Sequence, residues 1–354
     1  MLYRENGQFK TSYRADQQIF PILQDRYFLF ALLLFAFLAV PNLASGYMFR
    51  AILVPFLIMA LAAMGVNILV GYCGQISIGH AAFMAVGAYA AYNLVLRLPQ
   101  LNFLVVLVLA GLIAAAVGIL FGIPSLRIKG LYLAVATLAA QFFTDWLFAR
   151  VKWFTNYSSS GSVSTAPIDI FGWKVDSPAE KYLFLLGVLV LFTLVAKNLV
   201  RSHIGREWMA MRDMDVAAEV IGIRPVYAKL TAFAVSSFYV GVAGALWGFV
   251  YLGAWEPLAF NLTLSLNLLF MIIIGGMGSL LGSYFGAAFI VALPILLDQV
   301  PAWLGVPMST ATASHLASMI FGGLIVFFLI VEPHGLARLW AVGKEKLRLW
   351  PFPH

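Results

Sequence analysis

The 354-residue chain carries one cysteine, Cys73. A lone thiol cannot close an intramolecular disulfide, and it excludes a metal site built from cysteines. Charge is also scarce: Asp, Glu, Lys and Arg make up 10% of residues, against roughly a quarter in soluble domains. No G-x-x-x-x-G-K-[ST] loop occurs, so the chain has no phosphate cradle of that kind with which to hydrolyse nucleotide. A serine elbow, an H-E-x-x-H helix and clustered histidines and carboxylates are missing too, so neither an enzyme activity nor a bound cofactor or metal is expected. The acidic residues in or beside apolar runs, Asp145, Asp298 and Glu332, all fall near the ends of those runs. A proton- or sodium-coupled carrier needs an ionisable group deeper in the bundle, so energy for any transport must come from elsewhere.

Apolar residues are abundant, at 62% of the chain with a mean hydropathy of +0.93. Such a composition predicts an all-α polytopic membrane protein. The net charge of +7 is not a nucleic-acid signal here, because no basic groove with interleaved aromatics accompanies it.

Ten apolar runs are expected to span the membrane: Tyr27 to Val40, Ala51 to Val70, Ile78 to Leu96, Asn102 to Ile123, Leu131 to Ala149, Tyr182 to Val200, Leu230 to Leu252, Leu262 to Met277, Leu280 to Val300 and Ser314 to Val331. The first lacks a small-x-small cleavage site behind it and reads as a retained span. Residues 1–26 form a polar tail, 27–331 the membrane domain and 332–354 a second tail. Within the domain, 150–181 is a long outer loop of Ser, Thr, Asn and Gly, and 201–229 a polar inner segment. With both tails inside, 16 of the 22 Lys and Arg fall on the cytoplasmic side, among them Arg127 and Lys129 in a tight turn. That asymmetry follows the positive-inside rule.

Glycines interrupt one apolar stretch in each half: Gly71, Gly74 and Gly79, then Gly275, Gly276, Gly278, Gly282 and Gly286. Paired interruptions of this kind mark discontinuous helices whose free backbone groups line a substrate site. Close helix packing through small residues is the competing reading. The first stretch also brings Asn67, Gln75, Ser77 and His80, so these polar residues and the glycines at 71, 74, 79, 275, 276 and 278 are candidates for a translocation pathway. His80 and His315 are single histidines in apolar runs, for which a structural role is expected.

Ser202 to Lys229 is the one long segment between apolar runs dense in charge of both signs. Trp208, Met211, Met214 or Ala218, and Ile221 recur at helical spacing, and Arg212, Asp215 and Glu219 form a second stripe. Gly222 and Pro225 mark the stop. One amphipathic helix is predicted, with Trp208 and the methionines as a greasy face available to a partner.

Four motifs in order now carry a resemblance: N-I-L-V-G-Y-C-G-Q-I-S-I-G-H-A-A-F, L-R-I-K-G-L-Y-L-A-V-A-T-L, G-R-E-W-M-A-M-R-D-M-D-V-A-A-E-V-I-G-I and G-G-M-G-S-L-L-G. From about residue 50 to 335 the chain resembles the permease subunits of branched-chain amino-acid ABC importers, and in particular the M-type permease. The resemblance implies an inner-membrane subunit working with an H-type permease, two ABC ATPases and a periplasmic binding protein. It further implies that Arg206, Trp208, Arg212, Asp215, Ala217, Ala218, Glu219 and Gly222 belong to a coupling helix that docks on an ATPase. Asn156-Tyr157 stands where the family often has a glycine pair, a place where tyrosine lacks glycine's backbone freedom. Importers of urea and other small solutes share the glycine motif, although Gln75 favours the amino-acid branch. A stand-alone channel is the reading from another class.

Overall fold

The computed structural model describes residues 11–12, 23–126, 130–158, 161–165, 168–170, 172–303, 310–331 and 335–349. Arg127, Lys129, Glu332 and most of residues 1–26 lie outside them.

The protein is a helical bundle, and every predicted apolar run is occupied by helix. In order these are α1 (Asp25–Leu43), α2 (Gly46–Tyr72), α3 (His80–Arg97), α4 (Phe103–Gly122), α5 (Leu131–Arg150) and α6 (Pro178–Arg201). Two short helices follow, α7 (His203–Asp213) and α8 (Asp215–Val220). Then come α9 (Pro225–Leu252), α10 (Leu262–Gly275), α11 (Leu280–Trp303), α12 (Thr310–Val331) and α13 (Gly335–Leu349). Among the described residues, eight helical segments are long and apolar enough to cross a membrane by length and composition. α3 and α12 are the helices on the two remaining runs.

The centre of the bundle is α9, which lies against α2, α3 and α4. The approach is close because glycine faces backbone: a Cβ on Gly87 would land on Gly241, and one on Gly244 on the backbone of Met84. Close contact of this kind is how membrane helices gain packing energy where lipid offers no hydrophobic drive. α10 and α11 pack together and onto α2. By contrast α1 turns Tyr27, Phe28, Phe30, Leu38 and Leu43 outward, as a helix in lipid contact should. Within α2, Pro55 cannot donate a backbone bond to the preceding turn, and the helix widens into a π-turn at Phe49–Leu53 just before it.

Four departures from the sequence reading matter. The third span starts at His80, not Ile78, because residues 74–77 have no regular structure and Gly79 is the helix N-cap. The loop 150–181 is partly built: β1 (Val163–Ser164) pairs antiparallel with β4 (Ala254–Trp255), and β2 (Ile168–Ile170) with β3 (Trp173–Val175). The polar segment is two helices, not one, broken at Met214, whose φ −156° and ψ 94° are extended. The C-terminal tail contains α13, which returns to the bundle. A Cβ on Gly335 would meet Gly276 at 2.6 Å, and Lys344 Nζ lies 3.1 Å from Asp25 Oδ1.

Candidate functional site

The segment after α6 divides into a buried and an exposed part. Trp208 is fully buried, Met211 is 6% exposed, and the Trp208 indole N–H donates to Thr231 Oγ1 of α9 at 3.1 Å. This corrects the expected greasy partner-facing surface: Trp208 and Met211 are spent on the protein's own core, where an amphipathic helix beside a bundle can bury its apolar stripe. Past the Met214 break the pattern reverses. Val220 is 83% exposed, and Met214, Val216 and Ile221 are exposed with it. Ala217, Glu219 and Gly222 are on the surface, Asp215 is half-buried, and Ala218 alone of α8 is buried. The end of α8 is a left-handed glycine stop: Gly222 has φ +90°, and the amide of Ile223 donates to Ala218 O at 3.0 Å.

Arg212 leans back onto the end of α2 while its side chain stays 37% exposed, so it bridges the surface stripe and the bundle. Its Nη1 donates to the carbonyl of Gly71 at 3.0 Å and its Nε to Asp213 Oδ1 at 2.9 Å. Arg206, also nominated, bonds locally to Arg201 O at 3.0 Å and is exposed.

The carbonyl that Arg212 reaches belongs to the last turn of α2, a π-turn at Ile68–Tyr72. Asn67 lies just before that turn and fastens it to the second glycine stretch. Its Oδ1 accepts from the Gly278 amide at 2.8 Å, and its Nδ2 donates to Ser279 O at 2.8 Å and Ser283 Oγ at 2.9 Å. The glycines of both stretches make room for these two side chains. A Cβ on Gly71 would strike Asn67 Oδ1 and the Gly278 amide. On Gly74, at φ +72°, it would come within 2.9 Å of Arg212 Cγ, and on Gly278, at φ +74°, within 2.9 Å of Arg212 Nη1. Gly275, Gly282 and Gly286 serve the other purpose, letting the α10 and α11 backbones touch.

Beyond Gly74 the chain runs without regular structure to the start of α3. Gln75 Nε2 donates to Cys73 Sγ at 3.1 Å and to Lys229 O at 3.4 Å. The Ile78 amide donates to Thr137 Oγ1 at 3.0 Å. Since Gly79 has no side chain to cap α3, the cap comes from elsewhere: Ala81 N donates to Ser265 Oγ at 2.8 Å and Ala82 N to Gln141 Oε1 at 2.7 Å. These are the helix-terminal amides that would otherwise be orphaned. Ser265 lies ten residues before the end of α10, so α3 begins about 15 Å along that helix from the glycine turn. Ser77 and His80 are fully buried here, with the His80 ring edge-on to Phe83. Gln75 Oε1 and Ser77 Oγ find no protein partner among the described residues. Gly74 and Ile76 face outward into a cleft of about 390 Å³ shared with Leu133, Met211, Arg212 and Lys229.

Of the nominated pathway residues, Asn67, Gly71 and Gly278 meet at one knot, Gly276 adjoins it, and Gln75, Ser77, Gly79 and His80 lie at the entry to α3. Gly275 belongs to helix packing. Thr137, Gln141, Ser265 and Ser283 were missed. Each is a polar residue within a mostly apolar run, and in a medium where polar groups must pair internally that placement was the available signal.

Helices broken at glycine, a polar segment half buried in the bundle and half standing out of it, and a membrane-spanning core together describe a transport permease. Residues 48–329 match the family described as branched-chain amino acid transport system / permease component, and the chain belongs to that family. It is 30% identical over 310 residues to the high-affinity branched-chain amino acid transport system permease protein LivM of Salmonella typhimurium, covering 79% of this chain and 68% of that one. The Escherichia coli LivM protein is 31% identical over the same lengths. The autoinducer 2 import system permease protein LsrC of an Enterobacter strain is 26% identical over 204 residues, 54% of this chain and 57% of that one. No solved structure matches.

Proposed function

We infer that this protein is the permease subunit of an ATP-driven importer of branched-chain or related amino acids, and that α8 is its dock for an ATPase subunit. The observation that carries this reading is the exposure of Met214, Val216, Val220 and Ile221 along a segment dense in charge. A short solvated segment gains nothing by exposing four large apolar side chains, whereas a partner's groove covers them. Glu219 beside them supplies a charge at the rim, where it steers and orients more than it binds. With no phosphate-binding loop of its own, the chain needs this contact to draw on ATP. A second permease of the H type completes the membrane part, a periplasmic binding protein delivers the solute, and both tails face the cytoplasm.

Amino-acid uptake is the reading supported by the LivM relatives and by Gln75. The LsrC relative makes other small polar solutes the alternative to test beside it. Co-expression with candidate ATPases tests the dock: the wild-type chain is expected to carry an ATPase subunit through purification, and Val220→Asp to lose it while inserting normally. Leucine uptake that survives deletion of the ATPases would instead establish a channel.

A further inference from the structure

We propose that Arg212 is the positioning residue that carries movement of the docking helix to the glycine breaks in both halves of the permease. The proposal rests on α8 being the ATPase dock. Arg212 sits on the last turn of α7, two residues before the extended break at Met214 that leads into α8. Its guanidinium caps the carbonyl end of α2, where the helix has run out of its own donors and where the macrodipole favours a cation. From there Asn67, one turn back, holds the Gly278–Ser279 turn through two bonds of 2.8 Å and Ser283 of α11 through a third of 2.9 Å. One arginine and one asparagine therefore tie α7, α2 and the α10–α11 turn together.

Three features favour a working strut over a simple helix cap. The first is clearance: Gly74 and Gly278 both lie where a Cβ would crowd Arg212, so room for this side chain is made from two stretches far apart in sequence. The second is orientation. Asp213 holds Nε, leaving Nη1 aimed at Gly71, a two-point hold that a lysine's single ammonium cannot reproduce. The third is backing: α7 is anchored by buried Trp208, so a push on α8 meets a stiff element and not a loose loop. Downstream of the Gly71–Gly74 break runs an irregular segment on which Ile76 is exposed.

The test uses the complex with its ATPases, a Cys73→Ser background and a reporter thiol at Ile76→Cys, and needs no knowledge of the solute. Labelling of the reporter by a membrane-impermeant maleimide is measured with and without MgATP, alongside ATP hydrolysis and subunit recovery. The expected result is an ATP-dependent change in labelling that Arg212→Met abolishes while hydrolysis and assembly persist, with Arg212→Lys in between. A reduction of about tenfold in the ATP-dependent change is the scale of a coupling residue. Equal ATP-dependent labelling in Arg212→Met, or no ATP-dependent change in the parent complex, overturns the proposal. So does a parallel fall in labelling, hydrolysis and thermal stability, which would mark a plain structural cap. If Arg212→Met does not accumulate, Asp213→Asn decides, since that side chain is 65% exposed: an unchanged ATP response there overturns the strut. A parent chain that recruits no ATPase fails earlier, at the dock.

Discussion

Trp208 and Val220 are both apolar residues on short helices of the same polar segment, yet the first is fully buried and the second 83% exposed. The helices that carry them, α7 and α8, differ in what they pack against. α7 lies against α6 and α9, with its indole bonded to Thr231. α8 touches the bundle through Ala218 and leaves its larger side chains outside. The difference teaches that an amphipathic pattern states only that a face will be covered, and not by whom. Here the bulky face is covered from within and the smaller one stays exposed, so on the proposed reading anchor and dock are separate helices joined at Met214.

The sharpest way to break this comparison is to remove the anchor. Trp208→Ala empties a fully buried site of its largest side chain, and truncations of that kind cost about 3–5 kcal/mol. Thermal unfolding in detergent should fall steeply, and ATPase recovery with it, because the dock loses its backing. The matched change on α8, Val220→Ala, is expected to move stability by no more than about 0.5 kcal/mol, as surface substitutions do. Equal losses from the two would show that α8 is also core and that no dock exists.

A smaller effect tests how α8 ends. Gly222 holds φ +90° with open space around its Cα, so Gly222→Ala introduces backbone strain and no clash. The cost is about 1 kcal/mol, felt as fraying of α8, and it should show as faster amide exchange over residues 215–222 with α7 unaffected. If α7 exchanges faster as well, the Met214 break does not separate the two helices.

Much of this was legible in the sequence. Periodicity and apolar run length located the helices, because a chain in lipid must satisfy its backbone internally and has few ways to do so. Gly222 and Pro225 marked the end of the polar helix correctly. The glycines at 71, 74 and 278 stood out as well, but their reason did not. They clear space for Arg212 and Asn67, and those contacts join residues 141 and 211 positions apart, beyond the reach of any local pattern. The same holds for α3, whose cap is supplied by Gln141 and Ser265 from other helices. Asn156 and Tyr157 show the converse. Glycine-like freedom was thought to be lost there, yet both residues adopt the left-handed region, at φ 50° and 56°, so the chain keeps the backbone turn and bears its strain.

An effect of similar size returns to Trp208 and separates its packing from its hydrogen bond. Trp208→Phe keeps an aromatic body in the pocket and removes the indole N–H that Thr231 Oγ1 accepts. That hydroxyl is not orphaned, because it still donates to Ala228 O at 3.0 Å. The loss is therefore that of one net hydrogen bond plus a modest shape mismatch, on the order of 1 kcal/mol, well below that of the alanine variant. Thermal unfolding of the two variants side by side measures the ratio. If phenylalanine costs as much as alanine, the bond to α9 is what holds α7 in place. A cost well below alanine's leaves volume as the anchor, and Thr231→Val, which removes the acceptor and strands the buried indole N–H, should then cost more than phenylalanine does, about 1–3 kcal/mol.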